Sequence, residues 1–403
     1  MIEFREQGRF MESLDICLQL ARIHPNLMAA AYTDAAINSV WLKHWQDAIG
    51  YAQTALTLGG NDFDISNSLA YAYCEIGQWD QARRYGLRVL NALAHDTGGE
   101  PIPLLNLPPI PPLPNLQTRE RNIIAFSLFG DDSKYCETSI LNVQEQPNIY
   151  PYWTCRFYVD GSVPKGVISR LQNGGAQIVP VNESVAQWPG SMWRFLALND
   201  PLAHRILFRD ADSVISQREA GAVEQWLTSG KRFHVMRDWG SHTALILAGM
   251  WGVVAGSLPP LGQLMERFLS TPIKSRHFAD QIFLRQYVWP YARTSMMQHD
   301  SIFGFMNSIP FPDGDGGEDF HRVGYSEGGG YFSMKSDLPD GSKIVWGLYL
   351  IKKLNDNHSQ SNLICTYPGI VKNSMVKAYI PVCYARQIQQ GMAYVRLIGD
   401  KTA

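Results

Sequence analysis

An aromatic residue recurs through the first hundred positions at Phe10, Trp45 and Trp79, after intervals of 35 and then 34 residues. Each sits third in a similar heptamer: Gly8-Arg-Phe-Met-Glu-Ser-Leu14, Lys43-His-Trp-Gln-Asp-Ala-Ile49 and Gly77-Gln-Trp-Asp-Gln-Ala-Arg83. Three places further on stand Ser13, Ala48 and Ala82, small enough to let paired helices approach closely. A fixed period near 34 residues belongs to units of two helices. Such a unit buries its apolar face only against its neighbours. Residues 1–100 are therefore expected to form stacked helical pairs, with Tyr32, Tyr71 and Tyr73 on the helices that precede each recurring aromatic. The aromatics read as core, and the repeat segment reads as separable from the rest.

Pro101-Ile-Pro-Leu-Leu-Asn-Leu-Pro-Pro-Ile-Pro-Pro-Leu-Pro114 follows. Proline lacks the backbone donor that helices and sheet ladders need, so this run predicts extended polyproline structure. Residues 101–118 are read as a semi-rigid linker whose leucines and isoleucines lie against protein. From 119 the pattern alternates between apolar strand-like runs and helical ones. The strands are expected at 122–129, 153–159, 176–181, 206–208 and 233–238, an order that predicts a parallel sheet with helices on its faces.

The apolar run Ile206-Leu207-Phe208 breaks into Asp210-Ala211-Asp212. In extended backbone, residues i and i+2 share a side, so both carboxylates are expected to face one point at the strand's carboxyl end. That end is where ligands bind in open α/β sheets. Two hard oxygen ligands suit Mg²⁺ or Mn²⁺ holding a nucleotide diphosphate. Around this pair, Lys134 is placed to reach a phosphate and Tyr135 to stack on a base or ribose. Arg194 is a candidate diphosphate clamp, since guanidinium forks match phosphate oxygens. Trp251, flanked by Gly249 and Gly252, offers a face for a sugar. His299 is a candidate third metal ligand, with Asp300 and His321 behind it. Asp280 and Asp238 are candidates for a catalytic base, although Asp280 also suits a helix N-cap.

A formal net charge of −2 argues against nucleic acid as partner, because phosphate backbones demand a basic surplus. Cys17, Cys74, Cys136, Cys155, Cys365 and Cys383 show no C-x-x-C pair and read as reduced core thiols. With neither a long apolar run nor a signal-like N-terminus, the expected location is the cytoplasm, with no transmembrane segment.

Phe126-Ser-Leu-Phe-Gly-Asp131, Lys134-Tyr135, Tyr150-Pro-Tyr-Trp-Thr-Cys-Arg-Phe-Tyr-Val-Asp160 and Phe208-Arg-Asp-Ala-Asp-Ser213 resemble bacterial glycosyltransferases of the GT-A fold. His234-Val-Met-Arg-Asp238, Leu247-Ala-Gly-Met-Trp-Gly252, Asp280-Gln-Ile-Phe-Leu284 and His299-Asp-Ser301 follow in the order of the same domain. The resemblance covers about residues 120–305, and the N-terminal period is that of tetratricopeptide repeats. Together they imply an α + α/β chain: a tetratricopeptide domain (1–100), a linker (101–118) and a GT-A-like, Rossmann-type nucleotide-sugar domain (119–305); residues 306–403, which the resemblance does not cover, are read as a C-terminal extension of the catalytic domain, with the acceptor side as one place for it. The implied activity is metal-dependent transfer of a hexose-like sugar, as in surface-polysaccharide synthesis, from a UDP- or GDP-linked donor to a glycan, protein or lipid-linked acceptor. Metal is implied on Asp210 and Asp212, and the donor at Ser127, Lys134, Tyr135, Arg194, Asp210, Gly249 and Trp251.

The extension carries two glycine-rich stretches, Pro312–Asp319 and Gly328–Gly330, the first expected to lie near the active site. Strands are expected at 343–351 and 375–383, in a small appended module or as an extension of the main sheet. The rival reading is a catalytically inactive scaffold whose repeats bind a protein partner. A second copy of the chain is the other partner that such repeats would take.

Overall fold

The computed structural model describes residues 2–97, 105–272, 276, 278–312, 322–355 and 358–398. The first part is helical: Phe10–Ile23, Met28–Trp41, Trp45–Thr57, Asp62–Glu75 and Trp79–Asp96 follow a short helix, Ile2–Glu6. Each recurring aromatic is the first residue of its helix, and Ser13, Ala48 and Ala82 are almost wholly buried where the helices cross.

The residue two places before each aromatic has positive φ: Gly8 at 74°, Lys43 at 61° and Gly77 at 74°. The left-handed region is open to glycine, but a lysine Cβ crowds the carbonyl there at a cost of about 1–2 kcal/mol. Lys43→Gly is therefore expected to raise the unfolding free energy by about 0.5–1 kcal/mol, once glycine's larger unfolded entropy is offset. A denaturant midpoint that does not rise would contradict that account of the turn.

Stacking in the first two units is internal. Phe10 lies 5.4 Å from Trp41 and Trp45 lies 5.3 Å from Tyr71, centroid to centroid. The third aromatic has no further repeat to meet. Trp79 instead meets Trp239 of the following domain, edge to face at 5.8 Å. Around it the two parts are tied by Trp239 Nε1–H to Glu75 Oε1 (2.6 Å), Thr243 Oγ1–H to Asn67 Oδ1 (2.5 Å) and Arg83 Nε–H to the Ile302 carbonyl (2.8 Å). Gly86 and Gly240 let the surfaces close, since a Cβ would overlap the Phe303 ring at one and Cys74 at the other. One hydrophobic core runs from Ala36 in the helices to Phe305 beyond the sheet. The repeat segment, expected to be separable, thus shares a hydrophobic core with its neighbour.

The chain from Leu105 onward runs without regular structure to Asn115, as the prolines require; the linker's first residues lie outside those described. It is pinned to the sheet domain by buried Arg205, whose guanidinium donates to the carbonyls of Pro111 (2.6 Å) and Pro112 (2.7 Å). A seven-stranded sheet follows, with β1 Asn122–Leu128, β2 Thr154–Val159, β3 Gln177–Pro180, β4 Arg205–Phe208, β5 Phe233–Arg237, β6 Trp251–Val254 and β7 Met296–Asp300. Its order is β3-β2-β1-β4-β6-β5-β7, parallel except for β6, which runs antiparallel between β4 and β5. β1 is buried along its whole length, the signature of a strand covered on both faces. The strand order reverses between β1 and β4, which opens a crevice at their carboxyl ends.

The C-terminal part does not extend this sheet. It forms separate antiparallel sheets from β8 Gly330–Lys335, β9 Lys343–Asn355, β10 His358–Ile370, β11 Met375–Ile380 and β12 Ala393–Ile398. These rest on the helix Ser133–Ile149, where buried Glu137 accepts from Tyr367 Oη (2.6 Å) and from both terminal nitrogens of Arg170 (2.6 and 2.9 Å).

Candidate functional site

The crevice holds a cavity of about 350 Å³, within the range of small-ligand pockets. Its walls bring together Ser127, Tyr135, Arg194, Asp210, Asp212 and Asp280. β1 delivers Ser127 near its end. Asp132 caps the next helix by accepting from the Lys134 amide (2.9 Å), which sets Lys134 and Tyr135 in the first turn beside the crevice. Asp210 and Asp212 come just after β4 in a turn, closed by Ser213 N–H on the Asp210 carbonyl (3.3 Å). The two carboxylates therefore share the cavity through a turn, not through the extended alternation expected.

Arg194 sits beneath the floor with a side chain only 3% exposed. One terminal nitrogen donates to Asp210 Oδ1 and to the Arg209 carbonyl (2.8 Å), the other to Asp280 Oδ2 (2.9 Å). Burial pulls its pKa down, and the carboxylates of Asp210 and Asp280 more than offset that, leaving it above the ordinary value. Its terminal nitrogens hold two carboxylates, so the fork expected to clamp a diphosphate is turned to Asp210 and Asp280, while among the described residues the buried Nε has no partner. Asp280 is not the helix N-cap that its sequence context suits: the helix runs Ala279–Phe283 with Phe278 at the cap, and Asp280, inside its first turn, accepts from the Gln281 amide (2.8 Å). Ser127 is tied up too, accepting from the Arg194 amide (2.9 Å) and donating to the Ser191 carbonyl (3.3 Å).

Lys134 Nζ stands 3.3 Å from Asp212 Oδ2. Burial lowers its pKa, but Asp212 and Tyr135 outweigh burial and hold it above the ordinary lysine value. Ser326 Oγ donates to the same Asp212 oxygen (2.9 Å), and the Gly328 amide donates to the Asp212 carbonyl (3.1 Å). The Gly328–Gly330 stretch does reach the site, whereas Asp313–Asp319 and His321 lie outside the described residues. Gly249 backs the pair from the other side, since a Cβ there would overlap the Asp210 carboxylate.

Three expected residues are elsewhere. Trp251 is wholly buried as the first residue of β6 and stacks on Phe208 at 4.2 Å, so it is core and not a sugar platform. Asp238 is 2% exposed and held in a fork by Arg218 (both bonds 2.9 Å), with a third bond from the Val323 amide (2.9 Å). Its oxygens are spent, and it borders a different cavity. His299 is fully buried on β7, with Nδ1 against His234 Nε2 (2.8 Å) and Nε2 against Gln225 Oε1 (2.9 Å). Both ring nitrogens are used, and neither is left for a metal. Asp300, the fallback, accepts from the Ile302 and Phe303 amides and closes a turn.

Burial pushes the His299 pKa down to about 4, helped by Arg218, and pushes His234 well below the usual histidine range. These rings stay neutral when folded but protonate near pH 6.5 when unfolded. The unfolded chain then binds more protons between about pH 6.5 and 4, so stability falls on acidification through that window. The slope per ring reaches at most about 1.4 kcal/mol per pH unit. His299→Gln is expected to flatten part of this loss while leaving any Mn²⁺ requirement unchanged. A shifted Mn²⁺ requirement would restore His299 as a ligand.

Among the described residues no group of three or more His, Cys, Asp or Glu side chains is placed to hold a metal by itself. Asp210 and Asp212 still fit a hard cation that takes one or two carboxylates and completes its shell with phosphate and water. Sequence reasoning missed Ser326, which has no motif of its own and reaches Asp212 only through the bridge Ser213–Ser326.

No family model matches the chain, and no curated protein matches its sequence. Among solved structures, it is similar to a mannosyltransferase from Pyrobaculum calidifontis in complex with GDP-Man and Mn²⁺, at 11% identity and a TM-score of 0.33, over 59% of this chain and 67% of the other. It is also similar to glucosyl-3-phosphoglycerate synthase from Mycobacterium tuberculosis in complex with Mg²⁺ and UDP, at 13% identity and a TM-score of 0.29, over 52% and 72%. A third is 4-diphosphocytidyl-2C-methyl-D-erythritol synthase from Anaerococcus prevotii, at 9% identity and a TM-score of 0.30, over 48% and 93%.

Proposed function

We propose that the chain is a glycosyltransferase of GT-A type, binding a nucleotide-diphosphate sugar in the crevice between β1 and β4 through a divalent cation on Asp210 and Asp212. The observation that carries this is the convergence of Asp210, Asp212 and Asp280 on one cavity at the switch point of the sheet, with Lys134 paired to Asp212. Arg194 and Lys134 are already engaged by the three carboxylates, which keep a negative balance among these groups, so a cation between them and a diphosphate is called for. Mg²⁺ or Mn²⁺ would supply Lewis-acid stabilisation of the leaving diphosphate.

The chain's own residues do the rest. Arg194 holds Asp210 and Asp280 at fixed positions, so no reorganisation is needed when the donor arrives. Lys134 neutralises Asp212 in the free protein and becomes available to phosphate oxygen once Asp212 turns to a cation. Tyr135 and Phe129, 38% and 45% exposed on the cavity wall, offer apolar faces to the nucleoside. Asp280 is the carboxylate left to act as base on an acceptor hydroxyl or to bind the sugar. The helical pairs are tetratricopeptide repeats in this reading, capped by the catalytic domain itself.

Incubating the full chain with a panel of UDP- and GDP-sugars and Mn²⁺ tests this. The expected result is slow release of UDP or GDP from one or a few donors, abolished by EDTA. No release from any donor, with folded protein, favours the scaffold reading.

A further inference from the structure

The C-terminal sheet of order β10-β9-β12 has two unlike faces. One is core: Ile344, Trp346 and Leu348 of β9 are buried beside Cys365 and Tyr367 of β10. The other is turned outward, where an antiparallel sheet ordinarily shows polar residues to water. This one shows apolar residues instead. Val345, Tyr349, Leu363, Ile370, Tyr394 and Ile398 fall on outward positions, and Leu363 and Ile370 are 52% and 51% exposed.

These side chains form one patch. A Cβ on Gly347, in the middle of the face, would meet Leu363 Cδ1 at 3.1 Å, Tyr349 Cε2 at 3.2 Å and Ile398 Cδ1 at 3.3 Å, one from each strand. The rings of Tyr349 and Tyr394 stack with centroids 5.1 Å apart, and Tyr394 Oη donates across β9 to Ser361 Oγ (3.0 Å). Contiguous exposed apolar surface marks a contact with a macromolecular partner or with a membrane.

Charge and side-chain type decide between these. Counted over the whole segment, residues 330–403 carry nine lysines and arginines against four aspartates and no glutamate, a formal charge of +5, whereas residues 1–329 carry −7. The strands β9, β10 and β12 contain no acidic residue. On the face itself Lys343 stands beside Ile370 and Arg396 beside Gly347, both exposed. Among the described residues neither makes an ion pair. A second copy would set one basic segment against another, which repels. An acidic saccharide would meet the cations and the tyrosines but leave Val345, Leu363, Ile370 and Ile398 without partners. The boundary between lipid headgroups and acyl chains accepts aliphatic, aromatic and basic side chains together.

We propose that this face docks on a membrane surface rich in anionic lipid. The aliphatic side chains enter the acyl boundary, the tyrosines lie at headgroup level, and Lys343 and Arg396 meet lipid phosphates. The face shares no residue with the cavity at Asp210 and Asp212, so this assignment stands or falls apart from the transferase reading.

The test floats the full-length chain with vesicles of equal parts phosphatidylcholine and phosphatidylglycerol at low salt. The expected result is saturable binding, at least about tenfold weaker on phosphatidylcholine alone and in the double variant Lys343→Glu, Arg396→Glu. Leu363→Asp is expected to weaken binding at least about tenfold as well. Leu202→Asp, at a leucine exposed on the other sheet domain, is expected to bind as the parent does. Thermal melts show whether each variant is folded, and Leu363→Ser carries the same test if Leu363→Asp is not. Binding untouched by the Leu363 variant in folded protein overturns the assignment, as does equal binding to both kinds of vesicle or binding to neither. Capture of a hyaluronan tetrasaccharide but of no vesicle would turn the face over to an acidic saccharide. A dimer in light scattering that Leu363→Asp disperses would turn it over to a second copy.

Discussion

Replacing Arg194 with methionine is expected to destabilise the fold by about 3–5 kcal/mol and to lower donor turnover at least a hundredfold. Methionine keeps the stem and deletes the fork, so packing is largely preserved while two carboxylates lose their partner. Asp280 carries most of the cost: its side chain is 9% exposed and would retain only the Gln281 amide. Asp210, 47% exposed, is rehydrated cheaply, but its position is no longer fixed. Arg194→Lys should fall between, because one ammonium cannot reach both carboxylates in a fork. Urea unfolding and donor hydrolysis on the same preparations check this. An Arg194→Met protein as stable and active as the parent would remove the guanidinium from the account.

The second large effect is expected at Gly249. A methyl group there would overlap the Asp210 carboxylate and stand 3.0 Å from its backbone nitrogen, so side chain or backbone must yield. Gly249→Ala should cost about 1–3 kcal/mol in stability. It should lower turnover roughly a hundredfold, the usual consequence of moving a catalytic group by about 1 Å. Gly262→Ala is the control, with nothing within 4 Å of the new methyl and an exposed helix position. Wild-type turnover in Gly249→Ala would mean that Asp210 has no fixed geometry to lose.

Much of the architecture was legible because it follows from period. The aromatic interval placed five helices, and the apolar runs placed β1, β2, β4 and β5 close to their observed ends. Asp210, Asp212 and Asp280 were picked out by their places beside apolar runs, and the fold brings all three to one cavity wall. Burial was what the residues alone could not reveal. Arg194, Trp251, Asp238 and His299 each had the chemistry expected of a ligand-binding group. Each instead packs or bonds inside the protein, against Asp210 and Asp280, Phe208, Arg218, and His234 with Gln225.

Trp251 is the clearest case. The antiparallel β6 enters between β4 and β5, so a residue that follows β5 in the chain lands in the middle of the sheet. No local pattern in Ala248-Gly-Met-Trp-Gly252 announces that insertion. The docking of the helices was hidden for a related reason. Trp79 looks like Phe10 and Trp45, and only the fold shows that its partner, Trp239, lies 160 residues away in another domain.

The central claim is that the cavity at Asp210 and Asp212 takes a nucleoside diphosphate through a divalent cation. Calorimetric titration of the full chain with UDP and with GDP, first with Mn²⁺ and then with EDTA, tests it most directly. The account predicts saturable binding of one of them with Mn²⁺, at least about tenfold weaker after chelation and absent in Asp212→Asn. Equal binding with and without the cation, or equal binding by Asp212→Asn, would contradict it.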